Sequence, residues 1–168
     1  MSDKKEIVIK DACILFDLVD LNLLEDFFQL EVSAFTTPQV IGEITDETQW
    51  EEVSKYINNG KLQIDADGEF EIIAALYDEH PGLSIPDSSV LELAIRKDAI
   101  IYSSDGSLRK ISIKKNLPVR GILWIVEEIN SREFLSNEVA IEKLNLYEKI
   151  NQRAPVKEIQ ALINKLYK

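Results

Sequence analysis

The sequence predicts an α/β protein, a three-layer α/β/α sandwich in which helices cover both faces of a mostly parallel central sheet. Two continuous apolar runs, Ile7–Ile9 and Ala99–Tyr102, have the length and the β-branched content of strands that are buried on both faces. Short strands alternate with segments of helical periodicity, an order that is typical of parallel sheets. At 168 residues, with 45% hydrophobic and 29% charged residues, the chain has the size and composition of one folded domain.

In the first half of the chain, local signals separate the strands from the helices. Thr37-Pro38 supplies an N-cap and a first-turn proline for a helix, and Asn58-Asn59-Gly60 ends the next one. The alternation in Lys61–Asp65 is typical of an edge strand. The predicted elements are strand Glu6–Asp11, helices Cys13–Leu21 and Leu23–Leu30, strand Glu31–Thr36, helices Pro38–Thr45 and Glu47–Asn58, and strand Lys61–Asp65.

The second half continues the alternation and then becomes helical. A turn at His80-Pro81-Gly82 separates two helices, and we interpret the single histidine as a surface or capping group. The predicted elements are helices Glu69–Glu79 and Pro86–Lys97, strand Ala99–Ser103, helix Leu108–Lys115, strand Pro118–Arg120, helix Gly121–Ile129, and two further helices within Ser136–Lys168, interrupted near Ala154-Pro155. We expect residues 1–131 to form the main domain and residues 132–168 to form a helical extension packed on it, by default against its sheet.

Charge and cysteine content exclude several classes of protein. The net charge of −11 argues against bulk electrostatic binding of nucleic acid, although it leaves local binding open. One cysteine excludes an internal disulfide and agrees with a reducing cytoplasm, and no apolar run reaches the length of a membrane span. With one Cys and one His, a zinc site of the Cys/His type is disfavoured, so any metal is expected to have oxygen ligands, as Mg²⁺ and Mn²⁺ prefer.

One window of the sequence contains basic residues and no acids. It extends from Gly106 to Val126 and includes Arg109, Lys110, Lys114, Lys115 and Arg120. For most of these side chains the simplest interpretation is a solvated helix face.

Four carboxylates stand at the ends of predicted elements. Asp11 and Asp105 each follow a buried strand, Asp87 lies in the first turn of the helix before the second of these strands, and Glu43 follows the second strand of the chain. Ligands of open α/β sheets bind beyond the carboxyl ends of the strands. Each acid alone is explained equally well as a helix cap or a solvated residue. Together, in one pocket, they would need a cation such as Mg²⁺ or Mn²⁺, which can activate water for phosphodiester cleavage.

These acids, in their sequence contexts, resemble the pattern of the PIN-domain family. The resemblance is carried by Asp11, by Glu43 in Pro-Gln-Val-Ile-Gly-Glu-Ile, by Asp87 in Leu-Ser-Ile-Pro-Asp-Ser-Ser, and by Asp105 in Ser-Ser-Asp-Gly-Ser-Leu-Arg. It extends over about Glu6 to Ile129, including a closing segment from Leu117 in which a short strand, a glycine and a helix follow one another. Members of this family are metal-dependent nucleases, and many small bacterial ones are VapC-type toxins of toxin–antitoxin pairs.

The resemblance implies roles for individual residues. Asp11, Glu43, Asp87 and Asp105 would be the catalytic acids, and Asp11, Asp87 and Asp105 would ligate Mg²⁺ or Mn²⁺. Ser103 falls where the family often has a hydroxyl that holds Asp11 or the metal-bound water, and Arg109 falls where a basic residue contacts phosphate. Cys13 replaces the family's usual Asn or Ser, and because a thiol is a weak donor and acceptor, one supporting hydrogen bond is expected to be missing.

The leading hypothesis for function is a divalent-metal-dependent ribonuclease in which metal-activated water cleaves RNA. As the resemblance implies, it would be a homodimer and the toxin partner of an antitoxin protein. The alternative is a PIN-like protein of weak or no activity that serves as a binding or scaffold module. A phosphoaspartate enzyme is a third class, but the haloacid-dehalogenase type needs a second Asp where this chain has Cys13.

Overall fold

Five short parallel strands form the sheet of the computed structural model, which describes residues 6–9 and 12–168, with side chains from Cys13 onward. The strands lie in the order β3-β2-β1-β4-β5, so β1 is central and has β2 and β4 as neighbours. Their bounds are β1 Glu6–Ile9, β2 Ser33–Thr36, β3 Leu62–Ile64, β4 Ile100–Tyr102 and β5 Val119–Arg120. The predicted parallel sheet is confirmed. Because the strands are parallel, their carboxyl ends all lie at the same edge.

Helices cover both faces of this sheet. The elements connecting β1 to β4 are α1 Ala12–Asp20, α2 Leu24–Phe28, α3 Pro38–Ile41, α4 Glu47–Asn58, α5 Phe70–Glu79 and α6 Ile85–Lys97. After β4 come α7 Gly106–Lys114, α8 Ile122–Ser131, α9 Asn137–Ile150 and α10 Val156–Leu166. Helix α1 contacts α2, α4 and α8, whereas α6 contacts α3, α5 and α7. These two groups are the outer layers of the predicted α/β/α sandwich.

The core forms where apolar side chains of the helices meet the sheet. Ile14, Leu15 and Leu18 of α1 are completely buried, and all three residues of β4 are buried. Tyr102 of β4 packs edge-on against Phe27, with their ring centroids 5.7 Å apart. This packing fixes β4 between the two helical layers and thereby positions the segment after it.

The third helix is shorter than the sequence pattern predicts. Thr37 caps it as expected, because its hydroxyl accepts a hydrogen bond from the backbone N–H of Val40 at 3.2 Å. The helix ends at Ile41, however, and Gly42 and Glu43 form a turn instead of continuing to Thr45. Gly42 has low helix propensity, and Asp46 already caps the next helix, so little favours further helical turns between them.

The last two helices pack on another helix and not primarily on the sheet. The main neighbours of α9 are α8 and α10, and Ala140, Leu144 and Tyr147 on α9 are buried. The expectation of burial against the sheet is therefore wrong, because α8 already covers that part of the sheet and offers α9 an apolar surface of its own. Within the described ranges, no helix is long and apolar enough to cross a membrane.

Candidate functional site

The candidate site lies at the edge where the strands have their carboxyl ends. Strand β4 pairs with β1 from Ile100 opposite Ile7 to Tyr102 opposite Ile9, so both strands end side by side. Asp11, the first predicted acid, lies outside the described residues; in the sequence it comes two positions after the last residue of β1. The described part of the site therefore consists of the segments after β2, β4 and β5 and of the first turn of α6.

Asp105 is held at this edge by two short hydrogen bonds. The buried hydroxyl of Ser103 accepts from the backbone N–H of Asp105 at 2.9 Å, and the Oδ2 atom of Asp105 accepts from the backbone N–H of Leu108 at 2.9 Å. The backbone N–H of Ser103 in turn donates to the carbonyl of Arg120 on β5 at 2.8 Å. Asp105 thus caps α7, and its carboxylate is fixed relative to the ends of β4 and β5.

Asp87 lies in the first turn of α6 and is buried, with 7% of its surface exposed. It forms a capping box with Ser84: its Oδ2 atom accepts from the backbone N–H of Ser84 at 3.2 Å, and its own N–H donates to the Ser84 hydroxyl at 3.1 Å. Two residues further, the Ser89 hydroxyl is 2.8 Å from that of Thr37. This contact brings the first turn of α6 to the end of β2, at the same edge as Asp105.

Glu43 and Cys13 both lie on exposed positions near this edge. Glu43 is in the turn after α3, and its backbone N–H donates to the carbonyl of Val40 at 3.0 Å. Cys13 lies in the first turn of α1. The predicted roles of these two residues stay predictions.

The donors at this edge suit a hard cation, although the described residues do not complete a site. No group of three His, Cys, Asp or Glu side chains within residues 13–168 is arranged to hold a metal ion. Asp87 and Asp105 each use Oδ2 for capping, and a carboxylate has further lone pairs with which it can bind a cation. Oxygen donors of this kind match Mg²⁺ or Mn²⁺.

A cleft with a volume of about 610 Å³ opens beside Asp105. Its floor includes Ser103 and Ser104, which come directly after β4, and Gly121, which comes directly after β5. Residues of α9, α10 and their linker also line it, and so do three arginines: Arg109, Arg120 and Arg153. We call it the arginine cleft.

Arg120 is oriented by an aromatic ring inside this cleft. The centre of its guanidinium lies 4.7 Å from the centroid of the Trp124 ring, a cation–π contact. The ring of Trp124 lies in turn 5.7 Å from that of Tyr102 in the core. The Nε atom of Arg120 is buried and has no hydrogen-bond partner among the described residues.

Helix α9 is attached to the loop that carries Asp105. Burial raises the pKa of Tyr147, and an interaction with the side chain of Ser104 opposes the shift. On the other side, Asp17 of α1 interacts with the side chain of Asn151 at the end of α9. Burial, with Asp20 as a second cause, raises the pKa of Asp17 from 3.8 to about 6, and the interaction with Asn151 opposes the shift. The C-terminal helices therefore reach the edge of the site.

The sequence predicts only some of the residues that line this cleft. Arg109 was a predicted phosphate contact, and Arg120 lay in the acid-free window, where the simplest interpretation was a solvated face. Of the lysines in that window, Lys110, Lys114 and Lys115 do not line the cleft. Tyr147 belongs to the apolar stripe of the predicted C-terminal helix, and Arg153 has no local signal; the sequence does not indicate that either lines the cleft, because their position depends on how α9 and α10 pack on α8.

Comparisons with known proteins agree with this fold. A family model described as PIN domain matches residues 7–168, nearly the whole chain. The crystal structure of PAE2754 from Pyrobaculum aerophilum is similar, with a TM-score of 0.54 and 14% sequence identity; the match covers 76% of this chain and 90% of that chain. At this identity the likeness concerns the fold alone. No curated protein sequence matches the chain.

Proposed function

Because the chain belongs to the PIN-domain family, whose members are in general nucleases, we propose that it is a divalent-metal-dependent ribonuclease. The observation that carries this proposal is the position of Asp105, which two hydrogen bonds of 2.9 Å hold at the sheet edge where β1 and β4 end together. The arginine cleft opens beside it, so acidic groups for a cation and basic groups for phosphates adjoin each other.

In this proposal Asp11, Asp87 and Asp105 hold a Mg²⁺ or Mn²⁺ ion, and Glu43 orients the attacking water. When bound, the ion would make water a better nucleophile and offset the charge that develops on the phosphodiester. The chain itself contributes positioning. Ser103 holds the backbone at Asp105, Ser84 holds that at Asp87, and Arg109 offers a guanidinium to a phosphate oxygen. Cys13 would supply only a weak hydrogen bond beside Asp11.

A cleavage assay tests the proposal. Single-stranded RNA of mixed sequence, labelled at its 5′ end, is incubated with wild type and with Asp11→Asn in MnCl₂, MgCl₂ or EDTA. We expect cleavage by wild type with either metal, none in EDTA, and a loss of at least about 100-fold in the variant, since even groups that only support a metal ligand contribute about 10- to 100-fold. Glu79→Gln, an exposed acid at the end of α5, is the matched control.

Equal cleavage by Asp11→Asn and wild type would contradict the proposal. If neither cleaves RNA or DNA, the protein is instead a PIN-like binding or scaffold module. The roles as toxin, the antitoxin partner and the homodimer are further predictions from the family resemblance, and size measurements on the protein expressed with its neighbouring gene product would test them.

A further inference from the structure

We propose that the arginine cleft binds a phosphate group of the substrate strand next to the scissile phosphodiester, and that Arg153 is a substrate-binding residue. The inference rests on the proposed function for the identity of the ligand. Its structural basis is a division among the five arginines of the chain, all of which the structure describes.

Among the residues that the structure describes, carboxylates neutralise two of these arginines and not the other three. Arg96 forms ion pairs with Asp65 at 2.8 Å and with Glu92 at 2.7 Å, and Arg132 pairs with Glu128 at 3.0 Å. The other three form no ion pair with any described residue, and all three line the arginine cleft: Arg109, Arg120 and Arg153. In a chain with a net charge of −11, unpaired arginines gathered on one cavity are unexpected unless the cavity takes an anion.

Three different elements bring these side chains together. Arg109 comes from the first turns of α7, Arg120 is the last residue of β5, and Arg153 lies in the linker between α9 and α10. Trp124 fixes the orientation of Arg120, whose buried Nε–H has no acceptor among the described residues. A phosphate oxygen in the cleft would supply that acceptor, and a guanidinium fork matches phosphate with two parallel hydrogen bonds.

Two acidic residues also line the cleft, and they do not cancel its charge. Glu127 is paired with Lys165 at 2.9 Å, which leaves Glu158, an exposed residue in the first turn of α10. The net charge of the lining is therefore positive. A cavity of about 610 Å³ is large enough for a nucleotide unit and lies within the usual range for small-ligand sites, roughly 300–1,000 Å³.

The position of the cleft favours a phosphate within a strand over a free nucleotide. Ser103 and Ser104 line the cleft and lead directly into Asp105, and the cleft is open to solvent. A strand that places one phosphate at the acids can therefore place a neighbouring phosphate among the arginines. Because Arg153 comes from the α9–α10 linker, the C-terminal helices acquire a role in binding RNA.

The test measures binding without cleavage. A fluorescein-labelled 12-nucleotide RNA is titrated with wild type, Arg153→Gln and Arg132→Gln in EDTA at several KCl concentrations, and fluorescence anisotropy gives the Kd. We expect Arg153→Gln to raise the Kd about tenfold, the value of one charge-assisted hydrogen bond. It should also reduce the slope of log K against log salt by about 0.7, the value for one phosphate contact to a single strand. Arg132→Gln, which removes an arginine outside the cleft, should change neither quantity.

The inference is overturned if wild type shows no measurable binding, or if Arg153→Gln and wild type have equal Kd values and equal salt slopes. It is also overturned if adenosine monophosphate displaces the RNA at concentrations comparable to the RNA's own Kd, because that result indicates a site for free nucleotides. A failure of the proposed function is distinguishable. If RNA binds as expected but is not cut in MnCl₂, the binding inference stands without the nuclease; if RNA is cut and Arg153→Gln binds normally, the nuclease stands without the inference.

Discussion

Asp87 and Asp105 each accept a backbone hydrogen bond at the start of a helix, and both are candidates for holding a cation. The two roles are compatible because the capping hydrogen bond goes to Oδ2 in each case, and a carboxylate has about four lone-pair sites on its two oxygens. A cap also restricts the rotamer of its side chain, so a carboxylate that caps a helix presents its remaining lone pairs in a fixed direction. In each aspartate, one side-chain conformation can therefore cap a helix and bind a cation.

Asp105→Asn separates these two uses. Asparagine is as good an N-cap as aspartate, so the helix α7 should keep its cap and the free energy of unfolding should change by less than about 1 kcal/mol. The loss of the negative charge should nevertheless reduce RNA cleavage by at least about 100-fold. Urea unfolding and the cleavage assay give the two quantities. A variant as active as wild type would show that Asp105 is a cap and nothing more.

Asp17 gives a prediction about pH. Its pKa is raised from 3.8 to about 6, chiefly by burial, so between these values the folded protein keeps a proton that the unfolded chain has lost. The stability that this carboxyl contributes is complete below pH 3.8 and is lost as the pH rises through about 6. After discounting for the solvent around a half-buried group, the effect is about 1 kcal/mol.

Asp17→Asn should remove this dependence. At about pH 7.5 the variant should be more stable than wild type by about 1 kcal/mol, and at about pH 4 the two should be nearly equal. Urea unfolding at both pH values measures the difference. Asp78→Asn, which removes an exposed acid of α5, is the control and should keep the pH dependence of wild type. A difference of equal size for Asp17→Asn at the two pH values would contradict the assignment.

Among the elements, the C-terminal helices depend most on tertiary contacts. The sequence predicts α9 and α10 from their apolar stripes and from the interruption at Ala154-Pro155, but a stripe does not say which surface covers it. Here α8 covers it, and Tyr147 and Asn151 connect α9 to the Asp105 loop and to α1. That residues 132–168 belong to the same domain as residues 1–131 stays a prediction.

Tyr147→Phe tests this connection. The change removes the hydroxyl that interacts with Ser104 and leaves the buried ring in place, so we expect a loss of about 1 kcal/mol in the free energy of unfolding. Hydrogen exchange of the α9 amides should also accelerate. The control is Tyr167→Phe, since Tyr167 is 74% exposed. If both variants unfold like wild type, the Tyr147 hydroxyl does not hold α9 to the loop.

Local signals predict the elements of this fold better than they predict its site. The apolar runs at β1 and β4, the Thr37 cap and the glycine before α8 are local patterns, and the structure has each element where they indicate. The sequence pattern predicts a longer α3 than the structure has, because the helix ends before Gly42. Arg153 enters the arginine cleft only through the packing of α9 on α8, which no local pattern encodes.

At the scale of the whole molecule, charge is separated in space although the net charge is −11. Carboxylates are expected where β1 and β4 end, and the three arginines that form no ion pair with a described residue lie in the cleft beside them. This arrangement suits an enzyme that binds its cation with one group of residues and a polyanion with another. The net negative charge limits binding elsewhere on the surface and so favours contact at the cleft.

The central claim is that Asp11, Asp87 and Asp105 hold a cation at one site. Isothermal titration calorimetry with MnCl₂ tests it most directly. We expect wild type to bind Mn²⁺ at a discrete site, and each of Asp11→Asn, Asp87→Asn and Asp105→Asn to weaken that binding at least about tenfold, whereas Glu79→Gln leaves it unchanged. Binding of Mn²⁺ by Asp11→Asn with the affinity of wild type would contradict the account.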